Sequence, residues 1–206
     1  ARRRMIPRLA SLRRSGLALL VATATTISAR ADGISSYGTP GLIDMPSATA
    51  TNDGLLTWTT SHLTGHTRNS LHFQITPRLS GVFRYSILRG YLAPGDVKDR
   101  SFDLHYMLRD ETVQLPALAI GLRDFGGTGI FSSEYLVASK HFLDDRLTVT
   151  GGIGWGRLGS WGGFRNPLSV IDDRFNRRPR FTGDINDTGR IAFNRFFRGE
   201  AAFFGG

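Results

Sequence analysis

The residues able to do acid–base chemistry are spread along the chain instead of forming one motif. The adjacent aspartates at 144–145 and 172–173 do not make the opposed carboxylates of a glycosidase, because neighbours in a strand point to opposite faces. Asp103 and Glu134 would form such a pair only if their segments met in space, which would make the chain a polysaccharide-modifying enzyme. We expect instead that the chain is not an enzyme and has no catalytic residue.

The sequence contains no recognisable motif for binding a metal ion or a phosphate group. His62 and His66 have the spacing of two ligands on a helix, but no glutamate follows His62 and the context indicates strand or turn. The glycine runs at 126–129 and 151–154 lack the lysine of a phosphate-binding loop. The sequence contains no cysteine, which excludes a disulfide scaffold, a thiolate metal site and a lipidated cysteine within it. We expect no metal and no cofactor.

The positive charge is concentrated at the N-terminus. The formal net charge of the 206 residues is +9, and seven of the 26 basic residues lie in residues 1–31, which contain no acid. The rest of the chain is close to neutral. Because a protein that binds the phosphate backbone needs a spread basic face, we expect no nucleic-acid partner.

The same N-terminal residues have the pattern of a secretory signal peptide. Arginines precede an apolar stretch at 16–27, and a small-x-small site predicts cleavage between Ala31 and Asp32. The stretch is shorter than the roughly 20 residues of a membrane-spanning helix, so a retained anchor is the weaker alternative. Met5 is the expected initiator, which would make residues 1–4 an upstream artefact.

Short segments after Asp32 alternate apolar and polar residues and are separated by Gly, Pro, Asn and Asp, which predicts β-strands. In the clearest, residues 101–109, Phe102 and Leu104 point one way while Asp103 and His105 point the other. Nine strands are predicted, at about 55–63, 70–75, 80–88, 101–109, 118–123, 134–142, 146–154, 191–197 and 200–204.

Two architectures can use such strands. A soluble sandwich buries the apolar faces against each other, whereas an outer-membrane barrel turns them to lipid and turns the polar faces to a lumen. The predicted connections alternate between short and long along the chain, as in outer-membrane barrels. We therefore predict an all-β fold, an antiparallel transmembrane β-barrel of which about nine strands form a partial wall. The alternative is an exported soluble β-sandwich that binds polysaccharide.

Two groups of polar residues are candidate sites. The first is predicted to line the lumen as a hydrated path for a polyhydroxylated polymer; the alternative is a lumen filled by mutually neutralising charges. Its members are Arg84, Asp103, His105, Arg109, Arg123, Glu134 and Lys140. The second lies in the long connection at 156–190 and is predicted to contact anionic lipopolysaccharide or acidic exopolysaccharide from outside; the alternative is a solvated insertion. Its members are Arg174, Arg177, Arg178 and Arg180.

Five sequence strings resemble the YjbH/GfcD-like family of exopolysaccharide- and capsule-associated outer-membrane proteins. They are GTPGLIDMPSA at 38–48, RSFDL at 100–104, PALAIGLRDFGGTG at 116–129, SSEYLVASK at 132–140 and GWGRLG at 154–159. The resemblance implies a barrel in the outer membrane of a Gram-negative bacterium, with no established enzyme activity and no catalytic residues to carry over. It also implies three kinds of partner: outer-membrane lipid, polysaccharide, and other exopolysaccharide secretion proteins.

The family also suggests how the chain is organised. Its members are several times longer, so this chain resembles an N-terminal fragment. Some members look like lipoproteins, but without a cysteine this chain must attach through the barrel itself. We expect residues 1–31 to be the signal peptide, 32–53 a periplasmic N-terminal segment, and 54–206 the N-terminal part of the barrel.

Overall fold

The computed structural model of the protein describes residues 33–91, 95–179, 191 and 193–206. The predicted signal peptide and its cleavage site at Ala31 and Asp32 lie outside these residues. The strands are β1 (Gly41–Leu42), β2 (Met45–Pro46), β3 (Leu56–Leu63), β4 (His66–Gln74), β5 (Leu79–Leu88), β6 (Val97–Arg109), β7 (Ala117–Gly126), β8 (Ser133–Phe142), β9 (Leu147–Gly156) and β10 (Ala201–Gly205). Short 3₁₀ turns occupy Arg157–Gly159, Pro167–Val170, Asp173–Asn176 and Phe193–Arg195. No helix in the described ranges is long and apolar enough to cross a membrane.

Strands β3 to β10 form one eight-stranded antiparallel sheet in which each strand pairs with its neighbours in sequence. The predicted all-β, antiparallel class is confirmed, and eight of the nine predicted strands correspond to β3 to β10. The predicted strand at 191–197 is wrong. Phe193–Arg195 is a 3₁₀ turn and Phe197 has a φ of 56°, outside the extended region, so the backbone cannot continue as a strand there.

The two faces of this sheet have inverted polarity relative to a water-soluble protein. The buried face, here the polar face, carries charged and hydroxyl side chains, including Arg84 and Asp103, which are 0% and 2% exposed. The opposite face, here the apolar face, carries large hydrophobic side chains that remain exposed. They include Trp58 at 67%, Phe102 at 49% and Phe203 at 78%.

A bulge in β7 changes which side chains reach the polar face. The register of β6 with β7 shifts between Phe102 and Leu104, and opposite this shift Asp124 adopts a φ of 51°. As a result the consecutive residues Arg123 and Asp124 are both buried, at 2% exposure each. A regular strand would have turned one of them to the apolar face.

The connections divide between the two ends of the sheet. One end has 75–78, 110–116 and 143–146, and the other has 64–65, 89–96, 127–132 and 157–200. The predicted alternation holds where 157–200 follows 143–146. It fails at 127–132, which is shorter than 110–116, and the connection at 64–65, which precedes the predicted series, is a tight turn at the same end.

Residues 33–51, here the N-terminal segment, lie across the polar face. The backbone N–H of Ala48 donates to Ser139 Oγ on β8 at 2.9 Å. At the other side of the sheet, Thr51 Oγ1 donates to Gln74 Oε1 on β4 at 3.0 Å. This segment, which contains the two-stranded sheet of β1 and β2, covers the polar side chains and contributes to their burial.

Candidate functional site on the polar face

Three arginines from separate strands surround one tyrosine of the N-terminal segment. Arg68 of β4, Arg84 of β5 and Arg123 of β7 place their guanidinium carbons 4.4, 4.9 and 4.0 Å from the centroid of the Tyr37 ring. All four side chains are buried. These three arginines, here the arginine cluster, hold the aromatic ring by cation–π contacts.

Arg84 has a carboxylate partner. Its Nη1 and Nη2 donate to both oxygens of Asp103, at 2.7 and 3.0 Å. Asp103 also accepts from the backbone N–H of Asp124 at 2.8 Å, and Arg84 also donates to the backbone carbonyl of Tyr37 at 2.9 Å. The charge of Arg84 is therefore neutralised by a bidentate ion pair inside the sheet.

Arg68 and Arg123 are also buried, but they contact neutral oxygens only. Among the residues that the structure describes, neither forms an ion pair. Their acceptors all belong to the N-terminal segment: Ser36 Oγ and Tyr37 Oη, each at 3.4 Å from Arg68, and the Asp44 carbonyl at 3.1 Å and Thr39 Oγ1 at 3.5 Å from Arg123. In the described part of the chain, these two buried cations thus have no carboxylate within ion-pair distance.

A second hydrogen-bonded group lies beside the cluster. His105 Nε2 is 3.1 Å from the Thr49 carbonyl, which only accepts, so Nε2 carries the hydrogen. In the neutral ring Nδ1 then accepts from the Tyr135 hydroxyl, at 2.9 Å. Gly121 makes room for this tyrosine, because a Cβ there would lie 2.2 Å from Tyr135 Cζ.

The structure brings together four of the seven predicted lumen residues: Arg84, Asp103, His105 and Arg123 are all buried on the polar face. Arg109 lies apart from them, beyond a register shift in β6. Its Nε and Nη2 donate to the Pro116 carbonyl at 3.3 and 3.0 Å, so its side chain binds the β6–β7 connection.

The expectation that Glu134 and Lys140 share the face of Asp103 is wrong. Glu134 pairs in register with Leu122, and Lys140 pairs with Val149, both on the apolar side. The adjacent Tyr135 takes the polar face, and side chains alternate along a strand. Asp103 and Glu134 are consequently separated by the sheet and do not form an opposed carboxylate pair.

Arg178 of the predicted outer-loop group forms an ion pair with Glu134. Its Nη1 and Nη2 donate to the two carboxylate oxygens at 2.7 and 2.9 Å. Arg174 and Arg177 are exposed, and Arg180 lies outside the described residues. Contact of this group with an anionic polymer remains a prediction.

Sequence reasoning missed two participants. Arg68 lies just before the predicted strand at 70–75, and extending the alternation of Ser70 and His72 by one step would have placed it on the polar face. Tyr37 had no such signal, because it lies among turns and reaches the cluster only through tertiary packing. No cluster of histidine and acidic side chains able to hold a metal ion occurs in the described ranges.

Comparison with known proteins agrees with the resemblance stated above. Residues 33–206 match the family described as YjbH, exopolysaccharide biosynthesis protein YbjH. The chain belongs to the YjbH exopolysaccharide biosynthesis family. It is 34% identical over 180 residues to the uncharacterized lipoprotein YjbH of Escherichia coli strain K12, which covers 84% of this chain and 25% of the relative. No solved structure matches.

This YjbH-family chain therefore spans about a quarter of the length of the curated relative it matches. The family is linked by its description to exopolysaccharide biosynthesis, which supports the predicted link to polysaccharide. The matched residues include the N-terminal segment and all eight strands of the sheet, so the arginine cluster lies entirely within the family region.

Proposed function

We propose that this chain forms the N-terminal arc of an outer-membrane β-barrel wall and takes part, without enzyme activity, in exopolysaccharide export. The observation that carries the proposal is the inverted polarity of the sheet, with charged residues buried on one face and large apolar residues exposed on the other. Such a sheet fits a barrel that turns its apolar face to lipid and its polar face to a lumen.

The exposed apolar side chains extend across the sheet, which supports lipid as their neighbour. They occur on both edge strands and on strands between them: Trp58 on β3, Phe73 on β4, Phe83 on β5, Phe102 on β6, Val149 on β9 and Phe203 on β10. In water a monomeric protein rarely exposes so many large apolar side chains on one face. Fatty acyl chains remove the free-energy cost of exposing them.

Strand lengths are consistent with the same environment. Strands β4 to β9 each have nine to 13 residues, and a strand crossing a bilayer needs about 9–11. Strands β3 and β10 are the edges of the sheet. Because an unpaired backbone edge is costly in lipid, we propose that further strands of a longer protein pair with these edges and close the wall.

The proposed barrel also gives a role to the remaining segments of the chain. Residues 1–31 would direct export, and residues 32–53 would be a periplasmic segment that reaches onto the polar face. The polar face would line a hydrated path for the polymer, and Arg174, Arg177 and Arg180 would contact anionic groups outside the membrane. Its partners would be outer-membrane lipid, polysaccharide and other secretion proteins.

Cell fractionation of the full-length protein tests this function. We expect it to sediment with outer membranes and to migrate faster in detergent gels before boiling than after, as folded barrels do. An exported soluble sandwich predicts a different result. In that case a second sheet would cover the apolar face, and the protein would stay monodisperse in buffer without detergent, which would refute the proposal.

A further inference from the structure

We propose that the arginine cluster is a binding site for a carboxylate-bearing saccharide and that the N-terminal segment occupies this site in the structure. The inference rests on the proposed function, because the polar face must line the path of the polymer. It adds the chemical class of the ligand and the segment that competes with it.

The charges on the polar face support an acidic ligand. Arg68 and Arg123 are each 2% exposed and have no carboxylate partner among the described residues. A buried guanidinium is costly unless an anion pairs with it. A neutral sugar would leave both guanidinium groups without a directly paired carboxylate, whereas the carboxylate of an acidic sugar would pair with them.

The unused donors of these arginines point to the same ligand. Among the described residues, the Nε atoms of Arg68 and Arg123, like that of the paired Arg84, are buried without a hydrogen-bond partner. A carboxylate takes two parallel N–H bonds from one guanidinium, so Nε and a neighbouring Nη atom together fit one carboxylate. The existing Nη contacts, at 3.1–3.5 Å, are longer than the 2.7–3.0 Å bonds between Arg84 and Asp103.

Tyr37 and its neighbours occupy the position that we propose for such a ligand. The tyrosine presents a six-membered ring to the three guanidinium groups, and the hydroxyl and carbonyl oxygens of the segment accept their hydrogen bonds. A uronic acid residue has no aromatic face, but its carboxylate would attract the guanidinium groups more strongly than a neutral ring, and its hydroxyl oxygens would accept their hydrogen bonds. It could therefore replace the segment and add the missing negative charge.

Each of the other carboxylates on this face, Asp99 and Asp124, has one oxygen that accepts a hydrogen bond and one that is buried without a partner among the described residues. Asp99 accepts from Thr128 Oγ1 at 2.5 Å, and Asp124 Oδ2 accepts from the backbone N–H of Phe131 at 2.9 Å. Both partners belong to the 127–132 connection, at one end of the sheet. Neither aspartate forms an ion pair with Arg68 or Arg123 in the described ranges, so an incoming carboxylate does not have to break one.

A disulfide that fixes the segment tests the competition directly. Ala48→Cys with Ser139→Cys introduces a thiol pair where the backbone N–H of Ala48 already donates to Ser139 Oγ. Binding of polygalacturonate oligomers to the full-length protein in detergent would be measured first with the disulfide oxidised and then with it reduced. We expect the oxidised protein to bind the oligomers at least about tenfold more weakly than the reduced protein, because apparent affinity scales with the fraction of molecules whose site is open.

A second variant loosens the segment without removing an arginine. Gly38 has a φ of 85°, and a Cβ there would lie 2.5 Å from Ser70 Cβ on the sheet, so Gly38→Ala should displace the segment. Gly54→Ala is the matched control, because Gly54 has a φ of 71° with nothing near its Cβ position. We expect tighter polygalacturonate binding for Gly38→Ala and no change for Gly54→Ala.

The outcomes separate this inference from the proposed function. The inference is overturned if the oxidised and reduced proteins bind polygalacturonate equally. It is also overturned if the protein binds polygalacturonate and neutral dextran equally, or if Gly38→Ala does not bind polygalacturonate. Failure of the protein to reach the outer membrane refutes the proposed function and is measured independently by fractionation. The single variant Ala48→Cys, which cannot form the disulfide, controls for the substitution itself.

Discussion

Arg178 and Glu134, 44 residues apart in sequence, form a bidentate ion pair with N–O distances of 2.7 and 2.9 Å. The pair lies at the start of β8 and joins the long β9–β10 connection to the sheet. Glu134 Oε2 also accepts from the backbone N–H of Phe197 at 2.9 Å, so one carboxylate holds two parts of this connection.

Removing Arg178 should loosen that connection. The Glu134 side chain is 1% exposed, and loss of one partner of a buried pair typically costs about 3–5 kcal/mol. For Arg178→Ala we expect a loss of about 3 kcal/mol in urea unfolding of the detergent-solubilised protein. Arg174→Ala is the control, since Arg174 is 79% exposed and 3.8 Å from Asp172, and it should cost less than about 1 kcal/mol. Equal losses would contradict the anchoring role.

Gly121→Ala should disturb the contact between His105 and Tyr135. The new Cβ would lie 2.2 Å from Tyr135 Cζ in a tightly packed region. Overpacking of this kind costs about 1–3 kcal/mol, which thermal unfolding in detergent would detect. At Gly126, also in β7, the nearest atom to a new Cβ is 3.9 Å away, so Gly126→Ala should change the melting temperature little. A larger effect at Gly126 would show that the crowding at Gly121 is not the cause.

A charge placed on the apolar face tests the lipid environment. Phe83 contacts Phe102 across the strand pair, with ring centroids 5.2 Å apart. If this face meets acyl chains, Phe83→Arg should cost up to about 2–4 kcal/mol and reduce assembly into outer membranes, measured by fractionation. Val113→Arg is the control, because Val113 is 96% exposed in the β6–β7 connection. Normal assembly of Phe83→Arg would argue for an aqueous neighbour.

The ion pair of Glu111 gives a pH dependence with a defined sign. Hydrogen bonds from His141 and Lys140 lower the pKa of Glu111 from 4.5 to about 2. Because the folded pKa is the lower one, this carboxylate stabilises the protein above pH 4.5, and the contribution falls as the pH drops towards 2. We expect the difference in stability between wild type and Glu111→Gln to shrink over that interval in acid unfolding curves. A difference that stays constant from pH 6 to pH 2 would show that the pair does not hold Glu111 ionised.

Much of the sheet was predictable from the sequence because strand alternation is a local property. The pattern in residues 101–109 predicts which side chains of β6 share a face, and Asp103 and His105 do lie together. The strand at 191–197 was mispredicted because apolar residues there do not specify an extended backbone, and Phe197 adopts a positive φ.

The candidate site depended more on contacts between distant residues. Arg84, Asp103, His105 and Arg123 could be placed on one face from alternation, with the bulge at Asp124 as an unpredicted addition. Glu134 was assigned to the wrong face because the register of β8 depends on its hydrogen bonds with β7 and β9. Tyr37 could not be found at all, since nothing local indicates that it packs against three strands.

By itself, the amino-acid sequence determined where the strands of the sheet lie and that each has one apolar and one polar side, because side chains alternate with a period of two whatever their partners are. Only the tertiary structure decided that the polar side is the buried one, that Tyr37 lies among three arginines, and that Arg178 pairs with Glu134. Those outcomes depend on strand register and on the path of the N-terminal segment, which are set by contacts between residues far apart in the chain.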